Sequence, residues 1–117
     1  MQSAASTDPL TGLLNRRAME ERLAAELSRT HRHQIKTSVA GIDVDRFKLL
    51  NDRHGHATGD VVLRAGARTI AAAVRDVDLP ARYGGEEFVV LLRNPSRAVA
   101  LEVGERIREA VECLDLR

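Results

Sequence analysis

Two short apolar runs meet at a pair of glycines in "LPARYGGEEFVVLL", and few arrangements satisfy such a pattern. The runs read as two strands joined at the Gly84-Gly85 turn into a hairpin. A third strand is expected over residues 36–44, "KTSVAGIDV", where β-branched residues combine with a period of two. Helical spacing occupies most of the remainder. One helix is predicted over residues 15–31, with Ala18 or Met19, Leu23 and Leu27 spaced by fours. "DRFKLLNDRHGHATGD" reads as a short helix and a polar loop, after which Asp60 or a neighbour caps a helix striped by Leu63, Ala67, Ile70 and Val74. The last helix has Pro95 and Ser96 near its start and should bury Val103, Ile107, Ala110 or Val111, and Leu114.

The order helix, strand, helix, helix, strand, strand, helix points to an α/β sandwich built on one sheet. A chain of 117 residues suits one domain. With one Tyr, two Phe and no Trp, its core must be aliphatic. The strand at 36–44 is apolar enough for a central position, yet no later strand is available for its second edge, and exposed apolar edges recruit other chains.

Eighteen basic and seventeen acidic side chains leave a net charge of +1, which argues against a general nucleic-acid polymer binder. A phosphate-bearing ligand would have to be held by local groups. The single cysteine, Cys113, excludes an internal disulfide and suits a reducing compartment. The longest apolar run, residues 88–92, is far short of a membrane span, and "MQSAASTD" does not read as a signal peptide. A cytoplasmic location is expected.

"GIDVDRFK" sets Asp43 and Asp45 two apart at a strand end, where both side chains leave one face. Acidic residues often end strands for no further reason. The "GGEEF" turn adds Glu86 and Glu87, and two acidic clusters at strand ends can converge on one hard cation. A polar hairpin tip remains the plain alternative. Glycines there can let a backbone approach a ligand closely. Asp60 could accept both donors on a guanine edge and Asn51 could offer a donor and an acceptor, although both are also ordinary loop and cap residues. Lys48 is a point charge suited to phosphate. The histidines of "HGH" and "HRH" lack a third ligand and read as loop or helix-end residues.

"DPLTGLLNRR", "DVDRFKLLND", "GHATGD", "RDVDLPARYGGEEF" and "ERIR" follow one another in the order and spacing of the GGDEF diguanylate cyclase domain, and the resemblance covers residues 7–111. It implies an α+β sandwich with a ferredoxin-like, nucleotidyl cyclase-like sheet. On this reading residues 1–6 are a tail and 7–117 the domain; the family's next strand and a helix carrying phosphate-gripping basic residues have no counterpart in the chain. The resemblance implies condensation of two GTP into cyclic di-GMP by a homodimer, usually under an upstream sensory or receiver domain.

By similarity, Asp43, the Val44 carbonyl and Glu86 would bind Mg²⁺ or Mn²⁺, with Glu87 completing the acidic cluster. Glu86 is also the family's candidate for easing deprotonation of the attacking hydroxyl. Asn51 and Asp60 match guanine-binding positions, Phe47 and Lys48 the turn beside the phosphates, and Gly84 and Gly85 the nucleotide's clearance. The signature's third position is Glu where the family name has Asp. Arg75-x-x-Asp78 matches an inhibitory site for the product, and Arg106 resembles the arginine that assists it. The alternatives are a non-catalytic cyclic di-GMP or GTP binding module and a fragment serving only dimerisation.

Overall fold

The computed structural model describes residues 6–33, 36–44 and 47–112. Its elements are α1 (Arg16–His33), β1 (Thr37–Asp43), α2 (Phe47–His54), α3 (His56–Ala73), β2 (Leu79–Arg82), β3 (Glu87–Arg93) and α4 (Arg97–Glu112). This is the element order expected from the sequence. The sheet runs β1-β3-β2, with both pairings antiparallel.

Strand β3 is the central strand, and its period of two divides the core. Phe88, Val90 and Leu92 face α3 and α4, where they pack with Leu63, Ile70, Val103 and Ile107. Leu91 points the other way and joins Leu14, Ala18, Met19 and Ala81 beneath α1. Helices therefore cover both sheet faces, the α+β sandwich that the alternation implies. Each large aliphatic or aromatic side chain so buried contributes about 1.5–3 kcal/mol from the transfer of its apolar surface out of water.

Local signals set the helix ends. Asn15 starts α1, its Oδ1 accepting from the Ala18 N–H at 2.8 Å. Ser96 plays the same part for α4, with Oγ accepting from the Val99 N–H at 3.1 Å. Between β3 and α4 the chain turns at Asn94, whose φ of 47° is one that asparagine tolerates.

Three expectations change. Leu27 was expected on the buried stripe of α1 but is 54% exposed, while Glu26 beside it is 7% exposed. Asp60 does not cap α3. That helix already begins at His56, and Gly55 at φ 86° makes the break from α2 without any side-chain cap. Val74 is the C-cap of α3 and only partly buried; Ala73 fills the last core position. Cys113 and Leu114 lie outside the described residues.

Among the described residues β1 pairs only with β3, so its outer edge has no strand beside it. An apolar cleft of about 490 Å³ opens there, lined by Ala40, Ile42, Val62, Ile70 and Ile107 among others.

Candidate functional site

The acidic end of the sheet is assembled by strand register. Ladder pairing sets Asp43, the last residue of β1, directly opposite Glu87, the first of β3, and both are exposed. One residue further, the Val44 N–H donates to the Glu86 carbonyl at 3.0 Å, so the two backbones stay joined beyond the strands proper. Glu86 and Val44 are half-buried. Cross-strand neighbours stand about 4.5–5.5 Å apart at Cβ, and like charges so placed repel unless a cation intervenes. The neighbouring aspartate of the sequence motif, Asp45, lies outside the described residues.

Among the described residues no three His, Cys, Asp or Glu side chains stand together as a metal cage. What the register brings together is a pair of carboxylates, Asp43 and Glu87, beside the backbone joint between Val44 and Glu86. Mg²⁺ takes one or two carboxylates and completes its octahedron with water and substrate phosphates. The residues present fit that pattern better than an all-protein site.

The turn between the strands is tight. Tyr83 and Gly84 both donate backbone N–H bonds to the Glu87 carbonyl, at 2.8 and 3.3 Å. Neither Gly84 nor Gly85 needs a positive φ; Gly12 and Gly55 are the glycines that adopt one. What the signature glycines supply is room. A Cβ at Gly85 would meet nothing within 4 Å, and one at Gly84 would meet the Glu87 carboxylate tip at 3.0 Å.

The base-reading candidates ride on α2 and α3. Phe47 and Lys48 open α2, and the Lys48 side chain is exposed. Asn51 is half-buried in α2, and its Oδ1 is buried without a hydrogen-bond partner. A buried amide oxygen left unpaired costs about 1–3 kcal/mol, so a ligand donor there would recover a real penalty. Asp60, also half-buried, is the fifth residue of α3. His54 ends α2 and His56 opens α3, both exposed, so the polar loop expected here is reduced to Gly55.

The RxxD tetrad forms a tight local cluster. Asp78 Oδ2 accepts from the Arg75 N–H at 2.9 Å and from its Nε at 3.0 Å. Oδ1 accepts from Arg75 Nη2 at 2.8 Å and from the Arg93 N–H at 3.2 Å. The four acceptor positions of the carboxylate are thereby occupied. Burial pushes the Asp78 carboxyl upward, but the Arg75 and Arg93 donors outweigh it and hold the group below its ordinary value. Arg75 Nη2 also donates to the Arg93 carbonyl at 2.9 Å. Arg106, on α4, reaches the same region, its Nε donating to the Ala73 carbonyl at 2.6 Å.

Arg82 was not anticipated from the sequence. Its Nη2 donates to the Gly85 carbonyl at 2.8 Å, and its Nη1 lies 3.3 Å from Asp8 Oδ1. Asp8 in turn accepts from the N–H and hydroxyl of Thr11 at 2.9 and 2.8 Å. Burial raises the Asp8 carboxyl, and the Thr11 and Arg82 donors lower it further than that. The "DPLTG" turn is thus pinned to the signature hairpin. A nearer signal lay in the sequence: Asp8-x-x-Thr11 is the spacing of a side-chain-closed turn.

Residues 5–116 match the family described as "Diguanylate cyclase, GGDEF domain". The chain is 47% identical over 107 residues to diguanylate cyclase DgcP of Pseudomonas aeruginosa, covering 92% of this chain and 16% of that protein. It is 49% identical over 104 residues to the response regulator PleD of Caulobacter vibrioides, covering 89% of this chain and 23% of PleD. The chain therefore spans less than a quarter of either relative's length. Among solved structures, diguanylate cyclase SiaD of Pseudomonas aeruginosa, in complex with its activator SiaC, superposes with a TM-score of 0.91 at 46% identity over 97% of this chain and 44% of SiaD. The GGDEF domain of DgcB from Caulobacter crescentus, in complex with c-di-GMP, gives 0.86 at 35% identity over 92% of this chain and 63% of that one.

Proposed function

Because this chain belongs to the GGDEF diguanylate cyclase domain family, we propose that it works as one half of a homodimeric cyclase joining two GTP into cyclic di-GMP. In each half-reaction the 3′-oxygen of one GTP bonds to the α-phosphorus of the other. The bond from that phosphorus to the bridging β-oxygen breaks, pyrophosphate leaves, and the hydroxyl proton passes to a base. Two such steps close the ring and release two pyrophosphates.

The observation that carries the reading is the joint at the sheet end, where Asp43 stands opposite Glu87 and Val44 is bonded to the Glu86 carbonyl. Asp43, the Val44 carbonyl, Glu86 and Glu87 would hold Mg²⁺ or Mn²⁺, which when bound neutralises triphosphate charge and that of the departing oxygen. Glu86 would ease deprotonation of the attacking 3′-hydroxyl. Asn51 and Asp60 read guanine, the first through its unpartnered Oδ1. Lys48 and the start of α2 at Phe47 stand beside the phosphates, and Gly84 and Gly85 leave the nucleotide room.

A product site is proposed at Arg75 and Arg106, with Asp78 orienting Arg75; the DgcB domain solved with c-di-GMP supports looking for product binding in this fold. An upstream receiver or sensory module is supported by the likeness to a protein named as a response regulator. Among the described residues no helix is long and apolar enough to cross a membrane. Use of GTP favours a cytoplasmic setting.

The test is GTP turnover with Mg²⁺ by the protein that carries this chain. Glu86→Ala should lower cyclic di-GMP formation by at least about a hundredfold with the fold intact. Turnover retained in that variant would overturn the role given to Glu86. Product binding by a wild type that never turns over would favour the binding-module reading instead.

A further inference from the structure

A buried carboxylate sits behind the RxxD turn. Glu26, on α1, is 7% exposed. Its Oε1 lies 2.9 Å from Nε of Arg93, the last residue of β3, and its Oε2 lies 3.5 Å from Nη1 of Arg29. Neither contact is a well-formed hydrogen bond: Glu26 Oε2 and Arg93 Nε are both buried without a hydrogen-bond partner. The carboxylate is held between two guanidiniums by charge, with directional bonding still unsatisfied.

Those guanidiniums open onto a common surface. A cleft of about 350 Å³ is lined by Arg29, Arg75, Val77, Arg93 and Asn94. Arg75 and Arg93 are tied together there, through the Arg75 bond to the Arg93 carbonyl and the Arg93 N–H bond to Asp78. Three arginines thus face two carboxylates, Glu26 and Asp78, and Asp78 is fully engaged by Arg75 and the Arg93 backbone. Glu26 alone must serve both Arg29 and Arg93. One cationic charge is left over, and a phosphate in the cleft would balance it.

We infer that Glu26 sets the affinity of this cleft for phosphate-bearing ligands, by occupying Arg93 and Arg29 as an internal anion with which such a ligand must compete. The inference rests on the proposed product site at Arg75 and adds to it a residue on each of α1 and β3. A carboxylate so placed keeps the cleft closed to stray single phosphates. It yields to a ligand carrying two phosphates and base edges, which makes enough other contacts to displace it.

Titration calorimetry of the chain with cyclic di-GMP, and separately with inorganic phosphate, tests this. Glu26→Gln keeps the shape and removes the charge, so it should tighten cyclic di-GMP binding by about tenfold and make phosphate binding measurable. Arg93→Gln should act in the opposite sense and weaken binding. A folding defect would push both variants the same way, and thermal melts of each identify it. If wild type binds cyclic di-GMP and Glu26→Gln leaves that affinity unchanged or weaker, the inference is wrong and the product site stands. If neither wild type nor Glu26→Gln binds, both fall. Binding that appears only in Glu26→Gln supports the inference in its strongest form.

Discussion

Replacing Asp78 and replacing the arginine it pairs with should both cost substantial stability, by different routes. The Asp78 side chain is fully buried, whereas that of Arg75 is 29% exposed. Asp78→Ala removes the acceptor from two backbone N–H groups, those of Arg75 and Arg93, and from two side-chain donors of Arg75. Each stranded N–H costs about 1 kcal/mol. The ion pair adds about 1 kcal/mol, because the partly exposed guanidinium can turn to water and the larger cost of breaking a buried pair does not apply. The total is about 3 kcal/mol, or about 12 °C in Tm for a domain of this size. Arg75→Ala leaves both backbone bonds to Asp78 in place but strands a fully buried carboxylate without its countercharge, so it should cost about 3 kcal/mol as well. Asp78→Asn should resemble the alanine variant, because both carboxylate oxygens accept and the new amide NH₂ must face two donors. Urea unfolding followed by far-ultraviolet circular dichroism at pH 7, with m unchanged, gives the three values. A loss below about 1 kcal/mol for either alanine variant would refute the reasoning.

Two further outcomes follow from the same geometry. Phe88 is 1% exposed between the sheet and α3, so Phe88→Ala should destabilise by about 3–5 kcal/mol in the same unfolding assay, and a loss under about 2 kcal/mol would mean that the core collapses around the gap. Asp8 and Asp78 are both held below their ordinary values, so the folded state binds fewer protons than the unfolded one near pH 4. Their stabilisation is fully present above the unfolded value of about 3.9 and is lost as pH falls through the folded values. The urea midpoint should fall below about pH 4, and the Asp78→Ala variant should show a shallower acid limb; an identical limb would exclude Asp78 as a contributor.

The parts of the fold legible in the sequence were those governed by local periodicity. The hairpin around Gly84-Gly85, the β1 strand and the buried pair Val103 and Ile107 on α4 all appear where their spacing puts them. What escaped was set by partners distant along the chain. Nothing in α1 marks Glu26 for burial over Leu27; the reason is Arg93, which arrives from β3 at the far end of the sheet. Asp8 and Arg82 meet for a similar reason, across a parallel bridge between Leu14 and Ala81. Asp60 has the chemistry of a cap, but Gly55 breaks the chain earlier, which leaves Asp60 half-buried within the helix. The family was legible because the spacing of its motifs is long and specific. Which carboxylate stands opposite which became visible only with the β1–β3 register.

Arg82 ends β2 with one nitrogen toward Asp8 and another on the Gly85 carbonyl. A single rigid plane therefore links the "DPLTG" turn to the tip that carries the glutamates. These two contacts join the turn to the tip by side-chain bonds that lie outside the strand ladder. Whatever tugs on the segment leading into α1 has a short mechanical route to the hairpin tip.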